Sequence, residues 1–240
     1  DMMGEIASFK TQSTMQGLSK TSLYNTHGHL NAKHPFQLFG QIPNKGSYFL
    51  FGSSEWLNKS ITEITVQIFW KKDIPSDFAS YYAAYPEDYN NTSFKVAFSV
   101  LKDGVWESLN DKSFRLFEEN KDNMVSHIST LILNLENNLI FAESKENNNK
   151  LEYNDKTREG FIKMQLVGPE YGFGHTQYSD IYTKAALERS KWIKPNPFWE
   201  YLKFWKKKSM PPLIPSLPYV PIVDNIEISI TYLNPLEIGN

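Results

Sequence analysis

Three histidines near the start of the chain are the residues whose type points most directly to metal chemistry. His27, His29 and His34 lie close together, and imidazole nitrogens are common zinc ligands. Their spacing, H-x-H-x4-H, matches no zinc site of defined geometry, and no carboxylate lies between them. We therefore expect exposed loop histidines and no bound metal.

The segment Gly40–Ser47, GQIPNKGS, superficially resembles a phosphate-binding loop. Such a loop places Gly-Lys-Ser/Thr directly before a helix, whereas Lys45 precedes Gly46 here and a strand-like run follows. Pro43, Asn44 and Gly46 are residues that favour turns. The segment is therefore expected to be a turn and not a nucleotide site.

Other residues offer little for catalysis. The chain has no cysteine, which excludes a thiol nucleophile, Cys-ligated zinc and disulfides. It also contains no G-x-S-x-G or H-E-x-x-H motif. Glu118, Glu119 and Asp224 are carboxylates of the kind that glycosidases pair across a cleft, but their separation does not follow from chain order. We expect no enzyme activity, no catalytic residue and no cofactor.

Aromatic residues make up 15% of the chain, which is rich. Tyr81, Tyr82, Tyr85 and Tyr89 are concentrated in one predicted connection, residues 73–91. Such a loop either stacks on sugar, packs onto a protein neighbour, or folds back over its own sheet. Tyr81, Tyr82 and Tyr85 are therefore candidate interface residues.

A second aromatic group lies in a short basic helix predicted from Phe198 to about Lys207. Helices at a membrane interface share this composition, and so do helices that dock on a protein. We favour docking on a protein. This adds Phe198, Trp199 and Trp205 to the candidate interface.

Composition indicates an ordinary globular chain of 240 residues with one principal domain. The net charge of −2 gives no general electrostatic attraction for nucleic acid. No apolar run reaches the roughly 18 residues that a membrane-spanning helix needs. The lack of cysteine fits a reducing cytoplasm. Both ends look cut from a longer protein, and the first residues have no signal-peptide pattern.

The clearest structural pattern lies within Pro35–Lys72, which contains the expected central strand. Ile64, Val66, Ile68 and Trp70 alternate with more polar residues, the period of a half-buried strand. Further strands are predicted at 94–101, 105–109, 113–118, 125–135, 160–167 and 226–232. These patterns predict an all-β fold, mainly an antiparallel β-sandwich, with one or two peripheral α-helices.

The expected layout is a lead-in over residues 1–17 and a β-sandwich-like domain over residues 18–240. Within it we predict a mostly exposed polar excursion at Asn137–Asp155. A helical segment follows at about 179–208, with Ser179 as its N-cap and Asp180 in its first turn. A stiff, extended Pro-rich strap occupies residues 211–221.

Several stretches combine aromatic residues with Pro and Gly in a distinctive order. They are PF-x-x-FG-x-x-P-x-x-GS at Pro35–Ser47, the Gly-Ser and Glu of Gly52–Glu55, P-x-DF-x-x-YY-x-x-Y at Pro75–Tyr85, SFKVAFSVLKDGVW at Ser93–Trp106, FGH at Phe173–His175, and LPYVPIVDNIEISITY at Leu217–Tyr232. Together they resemble the baseplate J-like wedge proteins of bacterial contractile injection systems and phage-tail-like translocation particles.

This resemblance implies a non-enzymatic structural role for an internal β domain of a wedge subunit. Expected partners are other wedge, hub or sheath subunits in a hetero-oligomeric ring, with no nucleic acid and no membrane. The expected location is a cytoplasmic assembly or a virion-like particle.

The main alternative is a carbohydrate-binding β-sandwich module. It requires exposed rings for sugar stacking, and the candidates are Tyr81, Tyr82, Tyr85, Trp56 and Trp199.

Overall fold

The computed structural model describes residues 10–142, 150–192 and 211–235. Its strands are β1 (Lys10–Met15), β2 (Thr21–Asn25), β3 (Gly28–Leu30), β4 (Phe36–Gln37), β5 (Tyr48–Ser53), β6 (Ser60–Trp70), β7 (Lys95–Lys102), β8 (Val105–Ser108), β9 (Phe114–Arg115), β10 (Ile128–Leu139), β11 (Phe161–Gly168) and β12 (Ile222–Pro235). Its helices are a 3-10 turn at Ser54–Trp56, α1 (Phe78–Tyr81) and α2 (Tyr178–Lys191).

The strands form two sheets. Sheet A has the order β1-β12-β6-β10, and β4 also pairs with β12. Sheet B has the order β3-β2-β5-β11-β7-β8, and β9 also pairs with β7. All of these pairs are antiparallel. The predicted all-β, mainly antiparallel sandwich with peripheral helices is therefore confirmed.

β6 is the central strand that the alternating pattern predicted, since it pairs with β12 on one side and β10 on the other. Ile64, Val66 and Ile68 are fully buried, and burying such a side chain stabilises the fold by about 1.5–3 kcal/mol. Trp70 is buried on the same face, and its Nε1 donates to Ser129 Oγ at 2.8 Å. The indole N–H is thus satisfied inside the core.

One hydrophobic core joins the two sheets, with Ile64 of sheet A and Phe51 of sheet B among its members. The strand expected at 113–118 is shorter, because only β9 pairs with β7. Leu116 and Phe117 are buried in the core instead.

Most described residues of the polar segment at 137–155 are exposed, as expected, but a few of its apolar side chains are packed. Phe141 is buried in the core, and the ring of Tyr153 lies 5.3 Å from that of Phe161. The backbone N–H of Tyr153 donates to Tyr24 Oη at 3.1 Å. Leu151 and Tyr153 thereby pack against a second, smaller hydrophobic cluster formed by Leu50, Leu101 and Phe161.

The sandwich begins before residue 18, where the sequence pattern placed the end of an extended lead-in. β1 pairs with β12 along its whole length, from Lys10 opposite Pro235 to Met15 opposite Ile230. Residues 10–15 are therefore an edge strand of sheet A.

Candidate functional site

The tyrosine-rich loop is built on the short helix α1. The carboxylate of Asp77 accepts hydrogen bonds from the backbone N–H groups of Ala79 and Ser80, at 3.2 and 2.9 Å. It thereby satisfies donors that the first helical turn leaves free. The Ser80 hydroxyl also donates to Asp77, and this bond, with the backbone bonds, lowers the pKa of the Asp77 carboxyl. The cap fixes where α1 places Tyr81 and Tyr82.

Most rings of this loop are buried, contrary to the exposure that interface and sugar-binding roles required. Tyr82 and Tyr85 are 1% and 6% exposed, and Tyr89 and Trp56 are also buried. Tyr81 is half-buried. The burial of these rings agrees with the third interpretation of the loop's composition, in which the loop folds back over its own sheet.

Tyrosine hydroxyls hold the strap, residues 211–221, against this loop. Tyr81 donates to the carbonyl of Leu217, and Tyr85 donates to the carbonyl of Ser216, both at 2.8 Å. The strap has no regular secondary structure of its own. Side-chain hydroxyls therefore supply partners for its backbone.

Tyr82 makes the most buried of these contacts. Its hydroxyl accepts from the backbone N–H of Tyr219 and donates to the carbonyl of Phe173, both at 3.0 Å. Burial raises the pKa of Tyr82 far above its ordinary value of 10.0. The hydroxyl therefore stays protonated at neutral pH and joins the tyrosine loop, the loop before α2 and the strap.

The rings beneath these hydroxyls form an aromatic cluster. Phe94, just before β7, stacks on Phe173 with ring centroids 4.3 Å apart. Phe78 lies 4.7 Å from Phe94, and Tyr82 stacks on Tyr89 at 4.4 Å. Such pairs contribute about 0.5–1.5 kcal/mol beyond the burial of their area. The cluster thus anchors the loop and strap by packing as well as by hydrogen bonds.

The glycine-rich loop before α2 closes around Tyr85. Gly174 has a φ of 83°, and a Cβ there would lie 2.7 Å from Tyr85 Cε1, so glycine is required. His175 Nε2 lies 3.3 Å from the carbonyl oxygen of Tyr219, and burial lowers the pKa of His175. The glycines permit a sharp turn beside a bulky ring, and His175 contacts the strap.

Helix α2 extends from this cluster with little of its own surface packed. None of its residues is buried, and Tyr178 and Ile181 are its only members that pack against the described core. Tyr182 and Leu187 are exposed. Because a helix of about 14 residues is marginally stable in water without a packed face, the exposed apolar side chains of α2 are a candidate contact surface.

The start of α2 differs from the prediction. Its N-cap is Gln177, which makes no side-chain capping bond, so Ser179 as the N-cap is wrong. Asp180 lies in the first turn, as expected. The predicted continuation to residue 208 falls outside the described residues beyond Trp192. So do the candidate interface residues Phe198, Trp199 and Trp205.

The strap adds exposed apolar residues of its own. Leu213 and Leu217 are 64% and 68% exposed, whereas Tyr219 is buried. Tyr85 donates to the strap, and Tyr178 of α2 packs against the same hydrophobic core that contains Tyr85. We call the exposed apolar residues of these two elements the α2–strap surface. Its members are Tyr182, Leu187, Leu213, Ile214 and Leu217.

The carboxylates considered for catalysis have structural partners. Glu118 Oε1 accepts from the backbone N–H of Thr130 at 2.6 Å. Glu119 Oε1 accepts from Asn91 Nδ2 at 3.1 Å. Asp224 is exposed at the start of β12. These hydrogen bonds give Glu118 and Glu119 a structural role.

Sequence reasoning missed the partners of the tyrosines, which are Phe94, Phe173 and Tyr219. Each lies in a stretch that carries the family resemblance, namely Ser93–Trp106, Phe173–His175 and Leu217–Tyr232. The signal was therefore in the sequence. What the sequence did not reveal is that these distant stretches meet.

His27, His29 and His34 are all exposed. Within residues 10–142, 150–192 and 211–235, no group of three or more His, Cys, Asp or Glu is placed to hold a metal ion. The same residues include no helix that is long and apolar enough to cross a membrane.

Comparison with known proteins found no matching family model and no matching curated protein.

Proposed function

We propose that the chain is a non-enzymatic protein–protein assembly domain of a contractile-particle baseplate wedge. The observation that carries this proposal is the α2–strap surface. Its apolar side chains are exposed on two elements that the aromatic cluster holds in place. Exposed apolar groups on a rigid support are typical of protein interaction sites.

The family resemblance bears on the same part of the molecule. Pro75–Tyr85, Phe173–His175 and Leu217–Tyr232 carry the resemblance, and they supply the residues that anchor the strap and the base of α2. This supports a wedge, hub or sheath subunit as the partner. The carbohydrate-binding alternative loses support, since Trp56, Tyr82 and Tyr85 are buried.

The test is incorporation into particles. The protein is produced together with the sheath, tube and hub proteins of a contractile particle, and particles are purified. We expect the chain to co-purify with sheath and tube. Its absence from intact particles would overturn the proposal.

A matched pair of variants tests the surface. Leu187→Glu should lower incorporation about tenfold or more by placing a charge in the contact. It should change the free energy of unfolding by less than about 0.5 kcal/mol, because the side chain is exposed. Val105→Glu, at a similarly exposed apolar residue of sheet B, should incorporate normally. Equal incorporation of both variants would contradict a role for α2.

A further inference from the structure

The outer edge of β10 is a separate candidate surface. β10 is the last strand of sheet A, with no strand beyond it among the described residues. The N–H of Trp70 donates to the carbonyl of His127 at 2.8 Å, and bonded pairs alternate along an antiparallel ladder. Every second residue from Ile128 to Asn134 therefore directs its N–H and C=O away from β6.

The chain's own side chains close the first half of this edge. The N–H of Ile128 donates to Ser126 Oγ at 3.2 Å. The N–H of Thr130 donates to Glu118 Oε1 at 2.6 Å. Natural sheets protect exposed edges in this manner, because free N–H and C=O groups invite another strand.

The second half of the edge is open. No acceptor for the N–H of Ile132 or Asn134 is found among the described residues. This stretch borders a groove of about 390 Å³ between β10 and the loop Asn110–Lys112. Phe114 and Ile132 give the groove apolar lining, and Glu136 also lines it. The groove thus combines open backbone donors with apolar contact area.

Charge indicates what the groove would accept. β6, β10 and β12 contain four acidic residues and no Lys or Arg. They are Glu63, Glu136, Asp224 and Glu227. In the groove itself, Asp111 and Glu136 supply two carboxylates against the single cation of Lys112. Neither Asp111 nor Glu136 forms an ion pair within the described residues. Asn110 Oδ1 is buried there without a donor. A cationic partner rich in hydrogen-bond donors complements this lining.

We propose that the open part of the β10 edge binds an extended, basic segment of a partner protein as an added strand. The backbone of that segment pairs with the N–H and C=O groups of Ile132 and Asn134. Its apolar side chains contact Phe114, and a Lys or Arg reaches Glu136. Addition of a strand to an exposed edge is a recurring mode of peptide recognition. The site shares no residue with the α2–strap surface and does not depend on the baseplate proposal.

Binding is tested with synthetic peptides of about eight residues, dye-labelled and followed by fluorescence anisotropy on the full chain. One peptide alternates Val with Lys, and its control alternates Val with Glu. We expect saturable binding of the Lys peptide and at least about tenfold weaker binding of the Glu peptide. Failure of the Lys peptide to bind, or equal binding of both peptides, would overturn the proposal.

Substitutions on sheet A test whether the peptide binds at the β10 edge. Asn134→Pro removes an outward N–H without removing a bond to β6 and should weaken peptide binding about tenfold. Asn134→Ala keeps that N–H, so its affinity for the peptide should stay within about twofold of the unaltered chain. Glu136→Lys should weaken binding about fivefold, and Glu227→Lys, on β12 of the same sheet, should leave it unchanged.

Circular dichroism verifies the fold of each variant, and the Glu136→Lys comparison stands even where Asn134→Pro fails to fold. Unchanged binding by both folded Asn134→Pro and Glu136→Lys would refute the site. A dimer of this chain that Asn134→Pro dissociates would instead assign the edge to a second copy and overturn the proposal.

Discussion

At the scale of single residues, one hydroxyl links the parts of the candidate site. Tyr82 Oη bonds both the N–H of Tyr219 and the carbonyl of Phe173. The sequence marked Tyr82 only as one ring among several and left open whether its loop is exposed or folds back over its own sheet. Its neighbour Tyr81 has the same local signal and also bonds to the strap, yet it remains half-buried. Local sequence does not distinguish the two rings, because their partners lie far along the chain.

Tyr82→Phe should lower the free energy of unfolding by about 1–3 kcal/mol, because it leaves two buried backbone groups without a partner. Urea denaturation measures the loss. Tyr81→Phe is the matched control and should cost less than about 1 kcal/mol, since its bond to Leu217 is exposed and water can replace the hydroxyl. Equal losses in the two variants would contradict the assigned role of Tyr82.

Stability should fall at alkaline pH. Burial raises the pKa values of Tyr82, Tyr85, Tyr89 and Tyr219 above the ordinary value of 10.0. Above about pH 10 the unfolded chain loses these protons and the folded chain keeps them, so stability that is fully present below pH 10 is lost as pH rises. Unfolding curves with tyrosinate absorbance test this. Ionisation of all tyrosines near pH 10 without loss of stability would refute it.

At the scale of elements, local pattern sufficed where a strand lies in the middle of a sheet. β6 and β12 were predicted from alternation alone, because one of their faces is buried along most of its length. β1 and β9 were not predicted correctly from the sequence. β1 is a polar edge strand, and the residues after β9 are buried in the core without pairing. The start of α2 was misplaced because its N-cap makes no side-chain bond.

Helix α1 depends on its cap. Asp77→Ala should lower the free energy of unfolding by about 1 kcal/mol, because it removes the acceptor of two backbone N–H groups. Asp77→Asn, which keeps a capping oxygen, should cost only a few tenths of a kcal/mol. Thermal or urea unfolding distinguishes them. A neutral Asp77→Ala would show that α1 is held by its rings alone.

At the scale of the whole molecule, composition and alternation predicted the sandwich but not the order of its strands. Sheet A places Lys10 opposite Pro235, and no local pattern specifies a partner so distant in sequence. The candidate site likewise depends on the pairing of strands that are distant in sequence. Its chemical groups were visible in the tyrosine loop, the FGH loop and the strap, but their convergence is a property of the sheet order.

We propose that another subunit covers α2 and the strap in an assembled baseplate. A cryo-electron microscopy map of purified contractile particles that contain this protein tests the proposal most directly. We expect the sandwich in the baseplate ring, with Leu187 and Leu217 within about 4.5 Å of apolar atoms of a neighbouring subunit. A map in which both side chains face solvent would contradict the assigned surface, and particles without this chain would contradict the proposed function.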